Sequence, residues 1–174
     1  LVPESFDVVI SNGVLHHTSD PRLAVTSISK LVRPGGYLLV GLYHRYGRLI
    51  TDMRRVIFRL SGDRFKFLDP NLRLATKKSD AKKNAWFMDQ YKHPHESKHT
   101  IGETMKWFDE DGFDVVRTIP GTVPFQPFSP KTQLFQQEQQ GNAFERLLVE
   151  LGMIRSGSQE GGFFIVIGRR REAT

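Results

Sequence analysis

Three short segments carry the side chains best suited to chemistry: Asn12-Gly13-Val14-Leu15-His16-His17, Tyr43-His44, and His93-Pro94-His95-Glu96-Ser97-Lys98-His99. An imidazole titrates near neutral pH, so His17 is a candidate general base. The same segment also reads as a plain turn, because Asn-Gly favours a tight bend and paired histidines cap locally. Tyr43 and His44 end an apolar run, where they either touch a substrate or form an aromatic stop beside a solvent-facing imidazole. Three histidines and Glu96 resemble a metal-ligand set. The one- and three-residue gaps, with Pro94 inside, bring His95 and His99 together only if the following helix starts early. Thr100-Ile101-Gly102-Glu103 is a capping box that starts it after them. The expectation is therefore no metal, and a substrate-facing loop containing His93, His95, Glu96 and His99. The plainer alternative is surface histidines, with Glu96 paired to Lys98 or to arginines. Cysteine is absent, which excludes disulfides, zinc-thiolate sites and thiol catalysis.

These residues need a frame to position them. Phe6–Ser11 (FDVVIS) is apolar and β-branched and reads as a buried strand. Asp20-Pro21 supplies an N-cap with proline at the first helical position. Ala24, Ile28 and Leu31 recur at helical spacing, widened by Val32, and Lys30 and Arg33 suit a helix end. Pro34-Gly35-Gly36 stops that helix before a second strand, Tyr37–Tyr43. Strand, helix and strand with short links make a parallel βαβ unit. Thr100 opens a further helix that closes at Gly112. Phe113–Ile119 and Gly162–Gly168 read as third and fourth strands.

Two inserts interrupt this frame, at 45–99 and 121–161. In the first, Leu49, Met53, Val56, Ile57 and Leu60 share one helix face, with Arg48, Arg55 and Arg59 largely off it. This pattern describes a packed surface helix, a lid over an apolar substrate, or, over 48–60, an interfacial helix on anionic lipid. The aromatic run Trp86–Tyr91 reads as core. In the second insert a Pro- and Phe-rich stretch precedes a helix whose apolar face is Phe144, Leu147, Leu148 and Leu151. The chain of 174 residues has a net charge of +6. The 45–99 insert alone holds 14 Lys+Arg against 6 Asp+Glu, a net +8, which leaves −2 for the rest. No apolar run approaches the ~20 residues of a membrane span, and no secretory leader is visible. A reducing cytoplasm is the expected compartment.

The stretch FDVVISNGVLHHTSDPRLAVTSISKLVRPGGYLLVGLYH resembles the second half of the catalytic domain of class I S-adenosylmethionine-dependent methyltransferases, in their small-molecule, type 11/12-like branch. The resemblance rests on Phe6-Asp7, Asn12, Leu15-His16-His17, Arg33-Pro34-Gly35-Gly36, Gly112-Phe113 and the closing strand. It implies an α/β fold with helices on both faces of a Rossmann-like sheet, here partial, and a last strand inserted antiparallel. It places ligands at the carboxyl ends of the parallel strands. It also implies that Asn12, Gly13, Val14, Leu15 and His16 line the S-adenosylmethionine site, and that Tyr43, His44 and the His93–His99 segment face the substrate. The family's glycine-rich turn and ribose-binding acid have no counterpart: no G-x-G-x-G follows a strand, and Gly157-x-x-x-Gly161-Gly162 precedes one.

Residues 1–174 are thus expected to be a single, incomplete methyltransferase domain, its C-terminal portion, binding S-adenosylmethionine weakly or not at all. The complete enzyme is expected to act on a small organic acceptor such as a lipid, quinone or natural product. Alternatives are an RNA methyltransferase gripping phosphates through the basic insert, or a non-catalytic interaction module. RNA is disfavoured because no aromatic-plus-glycine RNA motif is present. The edge of strand 6–11 is a candidate for self-association.

Overall fold

The computed structural model describes residues 1–74, 79–92, 96–126 and 133–172. In chain order the elements are β1 (Phe6–Asn12), α1 (Pro21–Ser29), β2 (Val32–Tyr43), α2 (Leu49–Ser61), α3 (Pro70–Leu74), α4 (Asp80–Lys92), α5 (Ile101–Glu110), β3 (Phe113–Ile119), α6 (Ala143–Glu160) and β4 (Phe163–Arg170). Short 3₁₀ turns stand at Leu15–His17 and Lys66–Leu68. The fold is α/β, with one mixed four-stranded sheet in the order β1-β2-β4-β3. β1 and β2 are parallel, and β4 inserts antiparallel between β2 and β3. This is the Rossmann-like methyltransferase arrangement that the resemblance implies.

Local chemistry explains the element ends. The Asp20 carboxylate accepts from the Leu23 amide to open α1 over Pro21. Thr100 and Glu103 form a reciprocal capping box at α5, and Asn142 with Glu145 does the same at α6. α1 ends earlier than its apolar spacing predicts. Val32 and Arg33 belong to β2, and Pro34-Gly35-Gly36 is a bulge in that strand: Val32 pairs with Phe6, then Tyr37 with Val8. Gly35 takes a φ of +76°, and a Cβ on Gly36 would strike the Asp7 carbonyl.

The core lies on one face of the sheet. Leu38, Val40 and Leu42 of β2 and Phe164 and Val166 of β4 alternate inward. Val25 of α1, Ile101, Trp107 and Phe108 of α5, and Met153 of α6 cover them. The helices expected on both faces therefore do not match what is seen among the described residues, because these three helices gather on one side. On the other side Val8 and Ile10 of β1 stay exposed, Ile10 to 64%. The reading of β1 as a buried strand is corrected accordingly. Only Val9 packs against the core, and the outer edge of β1 pairs with no strand among the described residues.

Two helix faces also differ from expectation. α2 buries Thr51 and Phe58 and leaves Leu49, Met53, Val56, Ile57 and Leu60 exposed. α6 buries Glu150 and Met153 and exposes Phe144, Leu147, Leu148 and Leu151. The aromatic run does supply core: Phe87 and Tyr91 of α4 pack on Phe58 in a satellite cluster. No helix among the described residues is long and apolar enough to cross a membrane.

Candidate functional site

The parallel strands end side by side at Asn12 and Tyr43, and antiparallel β4 begins there at Phe163. Asn12 opposes Gly41, and the Gly13 amide donates to the Gly41 carbonyl at 3.1 Å. A Cβ on Gly41 would collide with the Asn12 carboxamide and the Phe163 ring, so glycine there lets both lie across the strand end. Gly13 turns the chain with a φ of +77° into the 3₁₀ turn that carries His16 and His17.

His16 is 1% exposed and stacks on Tyr43 with ring centres 4.0 Å apart. The His17 ring lies 4.2 Å from His16 and edge-on to Tyr43 at 6.2 Å. Phe163 closes the far side, 6.0 Å from Tyr43 and 6.3 Å from His16. Neither ring nitrogen of His16 has a hydrogen-bond partner among the described residues. Burial, aided by the neighbouring His17, lowers its pKa to about 4, so it is neutral at neutral pH. A buried imidazole with two unpartnered nitrogens is a polar group at this strand end that the described residues leave unsatisfied.

A charged network supports this cluster from the insert side. Arg48 is fully buried, stacks over the Tyr43 ring at 4.1 Å, and bonds Glu96 at 2.9 Å. Arg55 reaches the same Glu96 oxygen at 2.9 Å, and Lys98 stands 3.9 Å from the other oxygen. Gln90 accepts from Arg48 and donates to the Tyr43 hydroxyl at 3.2 Å. Burial alone would raise the Glu96 carboxyl, but Arg48 and Arg55 outweigh it and hold it below the usual carboxylate range. Burial raises the Tyr43 phenol against the pull of Arg48. The Ser97 amide donates to the His16 carbonyl at 2.8 Å, and the Ser97 hydroxyl meets His99 Nε2 at 3.0 Å.

The structure thus brings Asn12, Gly13, Leu15, His16, His17, Tyr43 and Glu96 to one sheet end. Val14 points to solvent. His44 stands apart, because successive strand residues face opposite ways. It is buried against Phe164, accepts from the Gly47 amide at 3.2 Å, and lies 3.9 Å from Glu150. Its reading as solvent-facing is corrected: this imidazole is fully buried, with no hydrogen-bond partner for its Nε2 among the described residues. Burial and the nearby Arg45 lower its pKa to about 4. His99 bridges to the end of β2 and leans on Trp107 and Glu103. Glu96 is a buried ion-pair hub whose oxygens are engaged by arginines rather than exposed to a ligand. His93 and His95 lie outside the described residues, and among those described no three acidic or histidine side chains converge as a metal site. Sequence reasoning missed Phe163, Arg48, Arg55 and Gln90. No local pattern marks them, since pairings 35 to 120 residues apart place them here.

A sheet with an inserted antiparallel last strand, and a site at the parallel strand ends, define a protein with the class I methyltransferase fold. The family described as "Methyltransferase domain" matches residues 1–40, the segment from β1 to mid-β2. A Synechococcus protein, syc1184_c, is 28% identical over 131 residues, covering 64% of this chain and 31% of its own length. A ubiquinone biosynthesis O-methyltransferase from Vibrio atlanticus is 40% identical over 43 residues, 25% of this chain and 18% of that protein. The chain spans about a third or less of these curated relatives. Among solved structures, PKMT2 from Rickettsia typhi in complex with AdoHcy aligns with 97% of this chain and 36% of its own, at 11% identity and a TM-score of 0.57.

Proposed function

We propose that this chain forms the acceptor side of an S-adenosylmethionine-dependent methyltransferase that acts on a small organic molecule. The observation that carries this reading is the unpartnered, buried His16 beside His17, Tyr43 and Asn12, where the family-matched segment ends its first strand. These residues fit one side of the cofactor site. Asn12 and the Gly13–His16 turn would hold it, and the bound cofactor would supply a methyl group activated on a sulfonium. His17 would take the proton of an acceptor hydroxyl or amine, while Tyr43 and Phe163 orient its ring or chain. An acceptor with a large apolar part suits these aromatic walls, as does the ubiquinone-pathway relative. RNA binding is disfavoured because the sequence holds no aromatic-plus-glycine RNA motif.

The other half of the site, the glycine-rich turn and the ribose-binding acid, is found at no strand end among the described residues. The isolated chain is therefore expected to give no titratable heat with S-adenosylmethionine in calorimetry, and tight binding would overturn this. Supplying a family N-terminal half, fused or in trans, is expected to create binding that Asn12→Ala and His16→Ala weaken. Binding indifferent to both variants would sink the assignment. A second reading, a non-catalytic module, draws on the bare edge and face of β1. Under it the chain self-associates through that edge, and light scattering would show a dimer that Ile10→Lys dissolves.

A further inference from the structure

α2 sits on the protein through Phe58, packed on Phe87 and Tyr91, and through its charged side. Arg48, just before it, and Arg55 within it are drawn to the buried Glu96, and Asp52 takes Lys98 at 2.6 Å. At 100° per residue these anchors force Leu49, Met53, Val56, Ile57 and Leu60 onto the outward stripe. Met53 is 64% exposed and Leu60 83%. The apolar surface continues past the helix end through exposed Phe65, Phe67 and Leu68. Arg59 and Arg64 are exposed beside it and carry no ion pair to another described residue. Beyond Phe65 a groove of about 370 Å³ sets Lys66, Arg73 and Lys83 beside Phe67 and Phe87, with Asp80 pairing Lys83 at 3.6 Å.

We propose that α2 and the following turn form a membrane-contacting face, which lies in the interface of an anionic lipid bilayer. The stripe would enter the acyl boundary while Arg59, Arg64 and the basic groove meet the phosphates. Charge decides among occupants. A second copy seated on the stripe would oppose Arg59 and Arg64 to their own counterparts across an apolar seam. A single small ligand is poorly matched to a convex helix face, since ligand sites are concave. The insert's net +8 is complementary to a negative leaflet. This proposal stands apart from the methyl-transfer reading and is tested without cofactor.

The test is co-sedimentation of the full chain with phosphatidylcholine vesicles, made with and without phosphatidylglycerol. Binding is expected only with phosphatidylglycerol and is expected to fall as salt rises. Met53→Glu and Leu60→Glu, both at exposed positions, are expected to weaken it roughly tenfold or more with an unchanged unfolding midpoint. Arg59→Gln with Arg64→Gln is expected to remove the preference for phosphatidylglycerol. Three results would each overturn the proposal: no binding to either vesicle, binding unaffected by the two glutamate variants, or a solution dimer that those variants dissociate.

Discussion

α5 and α2 are both amphipathic helices, and they face the protein in opposite senses. α5 turns Ile101, Trp107 and Phe108 into the sheet core and its charges to water. α2 turns Arg55, Thr51 and Phe58 inward and shows water its leucine, methionine and valine stripe. Periodicity identifies both helices equally well. It does not say which side meets the core, because in α2 the side carrying Phe58 and the partners of the Glu96 hub is drawn inward instead of the aliphatic stripe.

The largest expected effect on this contrast is in α5. Phe108→Ala removes a fully buried ring against Phe113 and is expected to cost about 3–5 kcal/mol in chemical denaturation. Glu96→Gln tests the opposite case. It leaves Arg48 buried with its charge uncompensated and is expected to cost about 3 kcal/mol while loosening α2 in hydrogen exchange. A neutral outcome would mean that something other than the ion pairs holds α2 in its orientation.

Acid adds a third comparison, between His16 at the ends of the parallel strands and His44 under α6. Both have folded-state pKa values near 4, below the unfolded 6.5, so the unfolded chain binds more protons between these values. Their stabilising contribution is complete above pH 6.5 and is lost as pH falls toward 4, on the order of 2–3 kcal/mol each. Unfolding free energy measured across that window should flatten in His44→Gln. An unchanged slope would remove His44 from the account.

Smaller effects follow. Thr100→Ala breaks the α5 capping box and is expected to cost about 1 kcal/mol by thermal melting. Met53→Ser on the outward stripe of α2 is expected to stay within about 0.5 kcal/mol. A loss as large as that of Phe108→Ala would show the stripe to be covered after all.

Much of the frame was legible from local rules. Asp20-Pro21, Thr100 with Glu103, and the β-branched runs at Phe6 and Phe113 each act through neighbours a few residues away, so α1, α5, β1 and β3 were readable. The turn at Asn12-Gly13 and its two histidines were readable for the same reason, as was their place at a strand end. Alternation within β2 also separates Tyr43 from His44, but which of the two faces receives helices depends on distant segments.

The sequence by itself determined the four strands, the helices α1, α2, α5 and α6, the caps at Asp20 and Thr100, the absence of thiol chemistry and the position of the histidine turn, because propensity, capping and patterning are short-range. Only the tertiary structure decided that β4 enters between β2 and β3, that Phe163 therefore closes the site, that Glu96 gathers two arginines beneath it, and that α2 presents its apolar side to the outside. Those outcomes depend on which distant groups compete for the same buried space, and there Phe58 on Phe87 and Tyr91, together with a carboxylate shared by two guanidiniums, turned the aliphatic stripe outward.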